Sequence, residues 1–130
     1  IVVPAYNDAQ GITAAFNLNL LHRINRELEG SVPVEAFRHL AHWNDAEARM
    51  EMHLQAIRDV QFDIDGHCFS LMAGETIHTE NSLKYGPRDT SVLLRAGGWN
   101  PIADWTDKDS LFSLVLAEAR SGVVPVPERR

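Results

Sequence analysis

The sequence predicts an α+β fold: a long N-terminal helix packed on an antiparallel sheet, followed by a helix–strand–strand unit. Three observations predict it. Apolar residues recur every four positions between residues 7 and 28, the spacing of one helix face. Between residues 37 and 83, short runs alternate apolar with polar positions, separated by polar turns; this is the pattern of half-buried strands. From Gly86 the pattern changes to a short helical run and two more strands.

The first helix is expected over residues 7 to 28. Asn7 or Asp8 can cap it by accepting bonds from its first amides. Phe16, Leu20, Ile24 and Leu28, with Leu21 beside them, form the stripe expected to be buried against the sheet. Gly11 is a weak point near its start. Asn17 and Asn19 are poor helix-interior residues, so something must compensate for them. Gly30 ends the helix, and Ser31-Val32-Pro33 turns the chain.

About five antiparallel strands follow. The first is Phe37 to Trp43, with Asn44-Asp45-Ala46 as its turn. The second runs from Ala48 to Arg58 and places Met50, Met52 and Leu54 on one face. Val60 to Ile64 and His67 to Met72 form a hairpin around Asp65-Gly66, since a tight reversal needs positive φ. The strand from Glu75 to Tyr85 alternates, so Thr76, His78, Glu80 and Ser82 should share one face and Ile77, Thr79, Asn81 and Leu83 the other. A helix from Gly86 to about Ala96 ends at Gly97-Gly98. Strands at Trp99 to Thr106 and Leu111 to Ala117 close the pattern. Trp43, Met52, Leu54, Phe62, Phe69, Ile77, Leu93 and Phe112 are the remaining expected core. The tail, residues 120 to 130, holds Pro125 and Pro127 and should be extended or disordered.

The bulk numbers exclude several classes. A chain of 130 residues suits one compact domain or part of a larger protein. Eighteen acidic and twelve basic residues give a net charge of −6, with the cations scattered. Nucleic-acid binding needs clustered cations against phosphates, so it is not expected. No apolar run approaches the roughly 20 residues that cross a bilayer. The start, Ile1-Val2-Val3-Pro4, lacks the features of a signal peptide, and the chain reads as a piece of a longer one. The single Cys68 fits a reducing cytoplasm and forms no internal disulfide. His39 and His42 point to opposite faces of a strand, and no HExxH or paired CxxC occurs, so no metal site is expected.

Two long motifs carry more specific information. AYNDAQGITAAFNLNLL covers residues 5 to 21, and GETIHTENSLKY covers residues 74 to 85. Together with Phe37-Arg38-His39, Trp43-Asn44, Met50-Glu51-Met52-His53-Leu54 and Ala96-Gly97-Gly98-Trp99, they resemble the histidine-specific methyltransferase family. These enzymes use S-adenosylmethionine and include the first enzyme of ergothioneine biosynthesis, which methylates the α-amino group of histidine. The resemblance covers most of residues 5 to 116. It implies a substrate-recognition domain over residues 1–85. Residues 86–119 would then be the closing helix and strands of an α/β cofactor domain, with 120–130 as tail. The glycine-rich strand–helix turn that cradles a nucleotide-type cofactor is missing, so S-adenosylmethionine should be held mainly by a portion N-terminal to this chain.

The resemblance also implies roles. Tyr6, in the AYND motif, would contact the amino-acid carboxylate through a phenol donor. Glu80 and Ser82 would read the imidazole, one accepting and one donating a hydrogen bond, which favours histidine over tryptophan. Met52 would line the same pocket. Each residue also has an ordinary reading: Tyr6 as a staple on the first helix turn, Met52 as core, and the Glu80–Ser82 row as a solvated sheet face. No residue is assigned a catalytic role. The expected partner is a small amino acid, with self-association through exposed strand edges also open. Two alternatives stand beside the histidine reading: a relative acting on another amino acid or amine, and a non-catalytic binding domain lacking the cofactor half.

Overall fold

A computed structural model describes residues 2–120 of the chain. The expectation for the tail falls, from residue 121 on, outside the described residues. Contacts divide the chain into two units, Ile1–Lys84 and Tyr85–Arg130.

The first unit opens with a short helix that the sequence reading did not separate from the next, α1 at Val2–Tyr6. The long helix α2 runs over Ile12–Glu27 rather than from residue 7. Gly11 sits between them at φ 71°, a left-handed conformation that glycine adopts without a Cβ penalty. Asp8 caps α2: its carboxylate accepts from the amides of Ile12 and Thr13, each at 2.9 Å. Bonds from Thr13, then Ile12, hold the Asp8 carboxyl at about 2. Asn7 instead donates to the Ala41 carbonyl at 3.1 Å, which ties the inter-helix loop to the sheet.

The buried face of α2 differs from the expected one. Phe16 is 66% exposed, and Leu20 and Leu28 are also open. Asn17 and Leu21 are buried, and Leu18 and Ile24 pack on the core. Of the expected stripe, Leu21 and Ile24 dock on the core, whereas Phe16, Leu20 and Leu28 do not. The docking face contains two asparagines, so an apolar count overlooks it. The Asn17 amide bonds His39 Nδ1 at 3.0 Å and the His53 carbonyl at 3.1 Å. The Asn25 side chain brackets the Val32 backbone, donating to its carbonyl and accepting from its amide, both at 2.8 Å. Both residues exchange a helix-propensity cost for satisfied buried polar groups.

After a 3-10 turn at Val34–Ala36 come strands β1 (Phe37–Asn44) and β2 (Arg49–Ala56). β3 (Val60–Ile64) and β4 (His67–Leu71) form their own hairpin, and β5 (Thr76–Leu83) follows. The strands are antiparallel but not one series: β1-β2-β5 is a three-stranded sheet and β3-β4 a separate pair. Asp65 (φ 48°) and Gly66 (φ 73°) make the reversal between β3 and β4, as two-residue hairpin turns require. The core under α2 gathers Leu21, Val32, Ala36, Phe37, Leu54, Ala56, Val60 and Phe62, with Ile77 packed against it. Met52 is also buried, in a smaller cluster with Ala41 and Met50.

Trp43 and Phe69 do not belong to the core as expected; both are exposed. Trp43 lies at the strand end with its indole N–H donating to Asp45 at 3.1 Å. Phe69 stacks on Phe62 at 5.9 Å, but on its two-stranded hairpin it stays 46% exposed.

The second unit holds α3 (Pro87–Ala96) and the antiparallel pair β6 (Trp99–Thr106) and β7 (Ser113–Ala119). β7 starts two residues later than expected because Asp107 holds the amides of Leu111 and Phe112 in the turn, at 2.7 and 2.8 Å. None of its described residues is buried, so Leu93 and Phe112 are exposed rather than core. One helix on two strands cannot enclose apolar side chains. Among the described residues, no helix is long and apolar enough to cross a membrane.

Candidate functional site

The site is set by an irregularity in the β2–β5 pairing. Met52 pairs with Glu80, but the next β2 residue, His53, pairs with His78. Thr79 is therefore an extra residue, a β-bulge, and its hydroxyl donates to the Met52 carbonyl at 2.9 Å. A bulge reverses the alternation of side chains beyond it. Ile77, opposite Leu54, faces the core. Past the bulge, Glu80 and Ser82 lie opposite Met52 and Met50, on that same face. Thr76 and His78 stay on the other. The expected row of Thr76, His78, Glu80 and Ser82 on one face is thus broken. The two acceptor-reading candidates are brought to the side where α1 and α2 lie.

Tyr6, at the end of α1, meets them there. It packs on Ala41, Met50 and Met52. Its hydroxyl donates to Ser82 Oγ at 2.7 Å. Lys84 completes a triangle, its ammonium donating to Tyr6 Oη at 2.7 Å and to Ser82 Oγ at 2.8 Å. The same ammonium lies 4.8 Å from the Tyr6 ring centroid. The Lys84 bond, then the Ser82 bond, lowers the Tyr6 pKa below its usual value of 10.0. Behind Tyr6, His39 bridges its carbonyl, at 2.8 Å from Nε2, and Asn17. Since Nε2 faces an acceptor and Nδ1 a donor, His39 is the neutral Nε2–H tautomer.

Tyr6, Met52 and Ser82 come together, and Glu80 lies alongside. The Glu80 carboxylate is exposed and lines a cleft of about 200 Å³ with Phe16, Asn17, Asn19, Leu20, Arg23 and Thr79. Lys84 was not identified from sequence. A signal existed: it lies two residues beyond Ser82 in the same alternation.

A second polar cluster occupies the opposite face of the sheet and was also not anticipated. His42, His53 and His78 stack across three strands, with centroids 4.9 and 4.4 Å apart. Glu51 Oε2 is 3.2 Å from Nε2 of both His42 and His53. Its Oε1 accepts from Asn44 at 2.9 Å and Arg49 at 2.7 Å. Bonds from Asn44, then Arg49, hold the Glu51 carboxyl at about 2. Burial lowers the pKa of His53, outweighing the opposing pull of Glu51. Three of these groups bring ligand-type atoms within 4.8 Å of one another. However, a metal must lie in the plane of each imidazole it binds, and the rings of His42 and His53 are only 21° from parallel. Their Nε2–H groups also already serve the Glu51 carboxylate. The cluster is built as a hydrogen-bonded stack. It was overlooked because it forms across strands, where within-strand spacing carries no signal.

The model of the histidine-specific, SAM-dependent methyltransferase family matches residues 1–119. Among curated proteins, a histidine N-alpha-methyltransferase of Mycobacterium tuberculosis is 43% identical over 125 residues, and one of Mycolicibacterium smegmatis is 40% identical over 121 residues. Each match covers 89% of this chain but only 37% of the relative.

Proposed function

The chain belongs to the histidine-specific, SAM-dependent methyltransferase family, and from that premise we propose that it is the acceptor-reading portion of a histidine Nα-methyltransferase. The observation that carries this reading is the meeting of Tyr6 with Ser82 at 2.7 Å, beside Glu80, on the face that the bulge at Thr79 creates. Tyr6 and Ser82, 76 residues apart in sequence, come together only in the fold. In this reading the acceptor carboxylate lies beside Tyr6 and Lys84. Because the single Tyr6 proton is held by Ser82, the N–H that donates to the carboxylate is the one the Lys84 ammonium has beyond its bonds to Tyr6 and Ser82. Ser82 and Glu80 meet the imidazole, and Met52 supports the phenol from below. Methyl transfer to an amine needs the amine neutral and aligned, so positioning by these anchors is the chief contribution of this chain.

The described residues do not fit the cofactor itself. Every strand pairing among them is antiparallel, and no glycine-rich strand–helix turn of the nucleotide-cradling kind occurs. In the intact protein S-adenosylmethionine would be held by residues outside this chain. Residues 1–85 would serve as the acceptor domain and 86–119 as the last elements of the cofactor domain. A cytoplasmic location and a place in ergothioneine biosynthesis belong to the same reading.

Acceptor kinetics of the intact protein that carries this chain test it. Glu80→Ala should cost histidine about 1–3 kcal/mol in kcat/KM and spare tryptophan. Ser82→Ala should cost about 1 kcal/mol. Tyr6→Phe should weaken every acceptor that has a free carboxylate. Equal loss of all acceptors on Glu80→Ala would mean a structural glutamate and would remove the main support for histidine. No methyl transfer at all from the wild-type protein would favour a binding domain.

A further inference from the structure

The triangle of Tyr6, Ser82 and Lys84 restricts what Ser82 can do. A serine hydroxyl has two acceptor sites and one proton. Ser82 Oγ accepts from Tyr6 at 2.7 Å and from Lys84 at 2.8 Å, so both acceptor sites are filled. Between the two hydroxyls the phenol is the better donor, being far more acidic than an aliphatic alcohol. The Lys84 ammonium on Tyr6 Oη at 2.7 Å strengthens that donation. The proton of Ser82 is then the one feature it has left to present. Across the strand stand Met50 and Met52, which offer no competing acceptor of strength. Among the described residues, the charged and titratable groups around Ser82 are Tyr6 on α1, Glu80 on its own strand and Lys84 just past that strand's end, with Arg23 of α2 lining the cleft beside Glu80.

We propose that Lys84 is a positioning residue that makes Ser82 a hydrogen-bond donor only, so that the site takes neutral imidazole with its bare nitrogen toward Ser82 and its N–H toward Glu80. The proposal rests on the histidine reading above and goes one step beyond it, to the protonation state of the acceptor. An imidazolium has no bare nitrogen. It would set an N–H against the Ser82 proton and a cation beside the Lys84 ammonium. The cost of that pairing is what would make the site selective.

The direct test is the ¹⁵N spectrum of ring-labelled histidine bound to the intact protein, near the imidazole pKa of about 6.5. The expected spectrum shows one protonated and one bare ring nitrogen, persisting as the pH falls to about 5.5 while free histidine becomes doubly protonated. A doubly protonated bound ring overturns the proposal and leaves histidine as substrate. Failure of histidine to bind overturns both. Kinetics supply a second measurement. Below about pH 6.5 the rise of KM for histidine with falling pH should steepen in the wild type by roughly tenfold per pH unit, beyond any slope that the α-amine gives on both sides of that point. Lys84→Met frees an acceptor site on Ser82, so it should flatten that rise and raise KM several-fold at neutral pH, with kcat changed less than about twofold. Lys84→Arg, which keeps the cationic donor, should retain most of the wild-type pH dependence. A Lys84→Met protein that loses kcat at unchanged KM, or keeps the wild-type slope, has a lysine with a merely structural role.

Discussion

Glu51 and His53 show how single residues link the sheet to pH. Burial holds His53 neutral, with its pKa below the usual 6.5. As pH falls below about 6.5, the unfolded chain takes up a proton that the native chain refuses, and stability declines. Glu51 behaves in the same direction lower down. Its carboxyl titrates at about 2 in the fold against the usual 4.5, so the unfolded chain protonates first and stability falls again below 4.5. Urea midpoints should therefore drop between about pH 8 and about pH 5.5, and drop further toward pH 3. His53→Gln should remove much of the upper decline and leave the lower one. A wild-type midpoint that stays level from about pH 8 to 5.5 contradicts this account. None of this was legible in the sequence, because Glu51, His42, His53 and His78 become neighbours only through strand register. By contrast Tyr6, Glu80 and Ser82 sit in long motifs, so the roles proposed for them come from the resemblance those motifs carry and need no register.

At the scale of elements, the boundaries of strands were readable and the choice of faces was not. Alternation located β1 to β5 within a few residues, and Asp65-Gly66 located the hairpin. The bulge at Thr79 escaped because a period of two has no internal mark for one extra residue. Its only trace is that Ile77 and Glu80, three apart, both belong on the inner face. The helix α2 misled for a related reason. Three of the four residues in its most regular apolar stripe, Phe16, Leu20 and Leu28, are exposed, and the docking face is held partly by Asn17 and Asn25. Substitution separates the two faces. Leu21→Ala, at 1% exposure, should destabilise by about 2–5 kcal/mol through the cavity it leaves. Phe16→Ala, on the open stripe, should change stability by no more than about 0.5 kcal/mol. Chemical denaturation of the two variants measures this. A larger loss for Phe16→Ala than for Leu21→Ala would restore the apolar stripe as the buried face.

At the scale of the whole molecule, the apolar surface indicates what the chain lacks when isolated. Phe16 and Leu20 on α2 are open, as are Trp99, Ile102, Trp105, Leu114 and Leu116 on the β6–β7 pair. Large exposed apolar area of this kind marks surfaces made to be covered, and the chain spans only 37% of the length of the curated relatives it matches. Two outcomes are expected of residues 1–130 on their own. The chain should not bind S-adenosylmethionine, because its strands are paired antiparallel throughout and supply no cradle for it. Calorimetry showing saturable binding would place part of the cofactor site within these residues and overturn the assignment of roles. The chain should also self-associate, since a two-stranded pair with apolar faces and open edges finds its lowest free energy against another copy. Sedimentation should show assembly that grows with concentration. Substituting Trp105 and Leu116 by lysine should reduce it without moving the unfolding of the first unit. Assembly untouched by those changes would shift the contact to the open stripe of α2, where Phe16→Lys is the corresponding test.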